Sequence, residues 1–402
     1  MLNIMIRRSI KKFFKLEAST GILLMVATIF AMSIANSQDS KMYHSFLSIN
    51  IPLKFETIAY YKHLTIRDWI NDGLMAVFFF LVGLELKKEV LIGELSSKSK
   101  ISLPIAAAIG GVLFPALVFY YFNQGFSQYS RGFAIPTATD IAFAYGMLCL
   151  FGKQISNSAK IFLVALAVID DLAAILIIAF FYSTSISIPF LLVTSFAFIG
   201  LILLNYFQCR KILPYILCGI FIWFAILKSG VHATIAGVLM ALFIPLKAKN
   251  KAILENIAHK ISPAVNYLIL PIFAFANAGV KIDNFKFSDL YSEPIIIGII
   301  AGLFIGKQLG VMIFSYLAVK FKFGSLPRGT NWFEFYGVSI FTGIGFTMSL
   351  FIGSLAFVND PEIFSKVKIG VLVGSLLSMI YGFIIVTIAS FLHKRKNIHS
   401  II

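Results

Sequence analysis

The sequence predicts an all-α polytopic membrane protein of about twelve transmembrane helices, and three observations predict it. Of the 402 residues, 59% are hydrophobic and only 13% charged, where a soluble chain carries about 25% charged residues. Apolar windows of near-spanning length recur at 17–37, 68–90, 102–122, 132–151, 158–182, 187–206, 212–228, 231–246, 256–280, 294–318, 333–358 and 366–392. Two of these, near 132–151 and 333–358, are interrupted around their middles. Paired interrupted helices point to inverted-topology repeats that cross at a binding site.

Taken in order, Arg7, Arg8, Lys11, Lys12 and Lys15 precede the first apolar run, which imitates a signal peptide. No A-x-A site follows and the run is long enough to span, so it reads as a retained helix. The segment Gln38–Arg67 is the one long connection. Its stretch Ser45–Phe55 suits a hairpin or an edge strand that pairs with a second subunit, and equally an irregular loop. The 212–228 and 231–246 windows are short and nearly fused. Residues 393–402 read as a solvated basic tail. The chain is expected to form a single integral membrane domain over 1–402.

The net charge of +16 lies in short clusters between apolar runs, which fits topology rather than a nucleic-acid stripe. With the N-terminus inside, 23 of the 34 Lys and Arg fall on inside segments, 10 outside, and Lys307 mid-span. Both termini are therefore expected in the cytoplasm. Cys149, Cys209 and Cys218 show no metal-ligand spacing and read as buried small residues.

The chemistry concentrates in Ile161–Tyr182, a 22-residue apolar run broken only by Asp170 and Asp171. At about 1.5 Å per residue both carboxylates lie roughly 15 Å from either end. Each costs about 2.5 to 3.5 kcal/mol to insert there, so an intramembrane acid is a functional-site candidate by default. Asp140 closes the motif Ala134-Ile135-Pro136-Thr137-Ala138-Thr139-Asp140. Pro136 withdraws a backbone donor and frees a carbonyl. With the hydroxyls of Thr137 and Thr139, that makes an oxygen-rich site suited to a hard monovalent cation such as Na⁺ or Li⁺. The second interruption, Phe341-Thr342-Gly343-Ile344-Gly345-Phe346-Thr347, carries Gly343 and Gly345. Lys307, in IGKQLG, is also deep, and an ammonium there calls for a carboxylate partner.

A permanent Lys307–Asp salt bridge that only joins helices is the plainer alternative. One lysine cannot neutralise three acids, and the excess suits a site that alternately holds protons or a metal cation. Adjacent carboxylates couple and titrate as a unit. A second cluster, Glu85, Lys87, Lys88 and Glu89, ends the 68–90 span; on its own it reads as an ordinary helix-end cluster. Asp72 lies near that helix's other end, at an interface. His232 is more often a structural group than a sensor, while Glu255 and His259 could titrate near neutrality. An intramembrane aspartyl protease also needs paired Asp, but its YD and GxGD signatures are missing. A cation channel explains the acids less well than a proton-coupled exchanger.

These residues carry a resemblance. The stretches Ile70–Glu89, Gly132–Ala144, Leu166–Tyr182, Ser229–Val238, Leu268–Val280, Ile305–Gly310 and Gly343–Ile352 resemble the bacterial NhaA-type Na⁺/H⁺ antiporters, over nearly the whole chain. That family is itself a known example of inverted-topology repeats, so the symmetry adds nothing independent. The resemblance implies an electrogenic, pH-regulated exchanger of Na⁺ or Li⁺ for protons in the bacterial inner membrane. It implies a homodimer joined through the 38–67 loop, and neither an enzyme nor a cofactor-bearing protein. Asp171 would be the principal cation ligand, assisted by Asp140 and Thr139, and Asp170 the partner of Lys307. Glu85, Lys88, Glu89, Glu255, His259 and His232 are the pH-sensing candidates. Two departures stand out: Lys88 where the family often has Arg, and Ser262 before Pro263 where His is common.

Overall fold

A computed structural model describes residues 18 to 399, except 52, 56–59, 63, 94–95, 184–186, 231, 249–250 and 283–285. The basic start of the chain and the extreme of the tail lie outside the described residues. Helical segments occupy all twelve expected windows. Among the described residues seven helices are long and apolar enough to span on their own, and nine once two bent pairs are included. The three remaining windows fail for separate reasons. Met75–Ile92 carries charges at one end, the 132–151 window is broken, and Ile235–Phe243 has only nine residues.

The chain divides into two compact units. The first holds the described residues up to Val26, Ser97–Asp171, and the described residues from Lys286 onward. Here the long helix Lys98–Asn123 lies against the helical path Pro294–Lys320. Gly110 and Gly310 face each other so closely that a Cβ on either would strike the other's carbonyl. The helix Pro361–His399 packs along Pro294–Ala301, Trp332–Phe341 and Phe346–Ala356.

Both expected interruptions are present in this unit. A tight 3₁₀ stretch, Ser127–Thr137, ends after Pro136, and the α-helix Ile141–Cys149 starts again with Asp140 as its N-cap. Trp332–Phe341 and Phe346–Ala356 are bent by 44° across residues 342–345. The two breaks touch: the Asp140 N–H donates to the Ile344 carbonyl at 2.7 Å. A Cβ on Gly345 would sit 3.0 Å from the Ala138 carbonyl, so glycine is what admits the approach.

The second unit holds the described residues within 27–96 and 172–285. Its core gathers Phe80, Leu84, Leu201, Tyr215, Ile222 and Met240. Thr65 and Asp68 form a capping box that starts a continuous helical path through the wide turns of Trp69–Leu74 into Met75–Ile92. The nearly fused pair separates at Gly230, whose φ of +81° ends Ile212–Ser229 in the left-handed region, the usual glycine stop. The helix Ile188–Tyr206 leaves Ile188, Leu192, Phe196, Ile199 and Leu203 exposed. A face of that kind suits contact with hydrocarbon.

The Gln38–Arg67 segment differs in part from the expected β-like run. Ser45–Leu47 belongs to a short helix, Ser40–Leu47, because Tyr43 and Leu47, four residues apart, are buried together. Extended pairing is confined to Leu53–Phe55 and Tyr60–Lys62, antiparallel, with Lys54 opposite Tyr61.

Candidate functional site

The site is built within the first unit from two broken segments, one continuous helix and one lysine. Asp140 is 1% exposed, and its carboxylate closes the N-termini of two helices. It accepts from the Phe143 N–H at 2.9 Å, and from the Thr347 N–H at 3.0 Å and the Thr347 hydroxyl. Orphan N–H groups and the positive end of each helix dipole favour an anion at that point. A broken helix thus gives Asp140 donors that an unbroken one would have spent on its own ladder.

Asp170 and Asp171 lie on Asn157–Phe181, each 1% exposed. Lys307, fully buried, donates to Asp170 Oδ2 at 2.6 Å and to the Thr137 carbonyl. That carbonyl precedes the first break, where the backbone ladder cannot use it. The Thr139 hydroxyl lies 2.9 Å from Asp170 Oδ2 and 2.9 Å from the Thr342 carbonyl. It has one hydrogen, so it can serve only one of the two at a time. Asp170 Oδ1 is buried and accepts no hydrogen bond, an arrangement that is expensive for a carboxylate without a further positive partner. The charge of Asp171 also acts on the Lys307 ammonium.

The electrostatic balance follows. Lys307 pairs with Asp170 and also feels the charge of Asp171, while two helix N-termini share the burden at Asp140. Among the described residues, no three His, Cys, Asp or Glu side chains converge. The donors here are carboxylate, hydroxyl and backbone carbonyl oxygens, which suit a hard cation more than a transition metal.

The other candidates belong to the second unit. Lys88 pairs with Glu255 at 3.1 Å rather than with Glu85 one turn away. Both partners are more than a third exposed. Glu89 folds over Gly93. Lys87 donates to the Leu242 and Ile244 carbonyls at 2.6 Å each, closing the C-terminus of Ile235–Phe243, where a cation meets the helix dipole favourably. His232 Nε2 lies 3.0 Å from the Tyr182 carbonyl, which requires the proton on that nitrogen. His259 is exposed, with no hydrogen bond or ion pair among the described residues. The Asp72 carbonyl accepts from the indole of Trp223 at 3.1 Å.

Sequence reasoning assigned no role to Thr347 or to the carbonyl of Thr342. Hydroxyls are common in apolar helices, and a carbonyl has no sequence signature. The usable signal was positional: Thr347 opens the helix after the second break as Asp140 caps the helix after the first.

Comparison with known proteins now decides the family. The model of the Na⁺/H⁺ antiporter 1 family matches residues 11–386. The chain belongs to that family. It is 50% identical to a Na⁺/H⁺ antiporter NhaA of Pelagibacter ubique over 382 residues, covering 94% of this chain and 97% of that one. It is 47% identical to the NhaA of Campylobacter curvus over 395 residues, 98% of each chain. The NhaA of Shewanella frigidimarina is 48% identical over 378 residues, covering 94% and 95%. Membership spans every stretch that builds the site.

Proposed function

We propose that this chain is an electrogenic Na⁺/H⁺ antiporter that also takes Li⁺ and serves Na⁺ and pH homeostasis by alternating access at one carboxylate site. What carries the reading is the fully buried Lys307–Asp170 pair with Asp171 next to it, together with Asp140 buried at the contact of the two broken helices. When its carboxylates are ionised the site holds an excess of negative charge. A hard monovalent cation or protons can remove that excess, and the two compete for the same oxygens. Asp171, Asp140 and Thr139 are the cation's oxygens. The Asp170–Lys307 pair exchanges protons, with Thr139 passing its hydroxyl between Asp170 and the Thr342 carbonyl. Apart from proton transfer no bond is made or broken, so the activity is transport rather than catalysis, and no cofactor enters it.

We place the chain in the bacterial inner membrane with both termini in the cytoplasm, following the Lys and Arg bias. The hairpin Leu53–Phe55 and Tyr60–Lys62 is a two-stranded sheet, and its outer edges are where a second copy would pair. The Lys88–Glu255 pair, with Glu85, Glu89, His259 and His232, supplies the pH-sensing groups.

The test is Na⁺-dependent dissipation of a pH gradient in inverted membrane vesicles. Asp171→Asn keeps the size of the side chain and removes its charge, and it is expected to abolish the signal. Full activity in that variant rejects the assigned site.

A further inference from the structure

Lys307 stands directly after a wide turn, Gly302–Gly306, in which its own N–H reaches back five residues to the Gly302 carbonyl. Such a turn slips the ordinary four-residue ladder by one position, and it is frequent at functional sites. The adjacent side chain, Gln308, reaches back into the wide turn. Its Nε2 donates to the Phe304 carbonyl inside the wide turn. Its Oε1 accepts from the Tyr336 hydroxyl at 2.8 Å. The amide has one consistent orientation, because the Phe304 carbonyl can only accept.

The circuit then closes on itself. Tyr336 Oη lies 3.5 Å from Tyr381 Oη, and the Tyr381 ring meets the Phe304 ring edge-on with centroids 5.6 Å apart. Three helices are joined: the one bearing Lys307, the half-helix Trp332–Phe341, and Pro361–His399. Trp332–Phe341 leads directly into Thr342, whose carbonyl reaches Thr139. None of Gln308, Tyr336 and Tyr381 touches Asp140, Asp170 or Asp171 through a hydrogen bond.

We infer that Gln308 and Tyr336 are positioning residues that hold the wide turn open and thereby keep Lys307 in register with Asp170 and the second break. The inference rests on the exchange reading. If the turn closed to regular helix, the residues after it would rotate by about 100° relative to those before. A rotation of that size carries the Lys307 ammonium away from the Asp170 carboxylate.

The experiment uses the purified full chain in proteoliposomes, with Na⁺-driven proton flux measured per mole of folded transporter. Tyr336→Phe removes one hydroxyl and keeps the ring; Gln308→Met keeps the volume and removes the amide. Each is expected to lower the maximal rate about fivefold, the scale of one buried hydrogen bond, with half-saturating Na⁺ unchanged. The double variant should be no slower than the slower single, since both break the same bond. Three results overturn the inference: a wild-type rate in Tyr336→Phe, a lowered thermal midpoint with a wild-type rate per folded protein, or a raised half-saturating Na⁺ at unchanged maximal rate. Absence of Na⁺-dependent flux from the unsubstituted chain would instead reject the exchange reading itself.

Discussion

At the scale of single residues, the Lys307–Asp170 pair at 2.6 Å, both side chains at 0% exposure, governs what substitution does. Removing one partner of a buried pair leaves the other charge uncompensated and costs about 3 to 5 kcal/mol, whereas neutralising both is far milder. Lys307→Met should therefore lower the thermal midpoint of the purified protein well below that of the double variant Lys307→Met with Asp170→Asn. Equal midpoints for single and double would mean that the pair has no mutual dependence. The Lys88–Glu255 pair is the opposite case. It is exposed on both sides and worth at most about 1 kcal/mol, so Glu255→Gln should leave the midpoint unmoved while shifting the pH profile of Na⁺-driven flux. A profile identical to that of the parent chain removes the pair from regulation. The acids and Lys307 were legible because each is a charge in an otherwise apolar run. Gln308 and Tyr336 were not, since an uncharged amide and a phenol inside a membrane helix cost little enough to pass unnoticed.

At the scale of elements, the two interruptions were legible from Pro136, Gly343 and Gly345, because each removes something a continuous helix needs. Their mutual contact was not, since it depends on the packing of segments about two hundred residues apart. The 66–92 path shows a further limit: its wide turns at Trp69–Leu74 leave no mark in hydrophobic periodicity. Of the β-like stretch Ser45–Phe55, read as hairpin, edge strand or irregular loop, only Leu53–Phe55 is extended and paired, while Ser45–Leu47 is helical because Tyr43 and Leu47 share a buried helical face. Helix packing supplies a sharper test than helix count. Gly310→Ala sets a methyl against the Gly110 backbone carbonyl, which no rotamer can relieve, and overpacking of this kind costs about 1 to 3 kcal/mol. Gly200→Ala, in Ile188–Tyr206, would meet only the Cys218 sulfur at 3.5 Å, an ordinary contact. The first variant should show a lowered thermal midpoint and the second should not. Matching midpoints would mean that the close approach of Gly110 and Gly310 does not constrain the first unit.

At the scale of the whole molecule, the sequence yielded a multi-pass helical chain because the bilayer leaves few ways to satisfy a backbone. On the proposed reading, whether exchange moves net charge depends instead on the balance of charge at one buried place. Lys307 offsets one of Asp140, Asp170 and Asp171, which leaves two negative charges when all three are ionised. A single monovalent cation cancels one of these, whereas protons can cancel both, so the loaded forms facing the two sides of the membrane need not carry equal charge. A cycle that returns more protons than the cations it removes moves net charge, and each elementary charge responds to about 2.3 kcal/mol per 100 mV. Flux in proteoliposomes should then accelerate or slow according to the sign of an imposed K⁺-diffusion potential, at constant pH and Na⁺ gradients. A rate indifferent to that potential would mean that the two loaded forms carry the same charge, and with it that the Asp170–Lys307 pair and the Asp171–Asp140 oxygens are neutralised one for one.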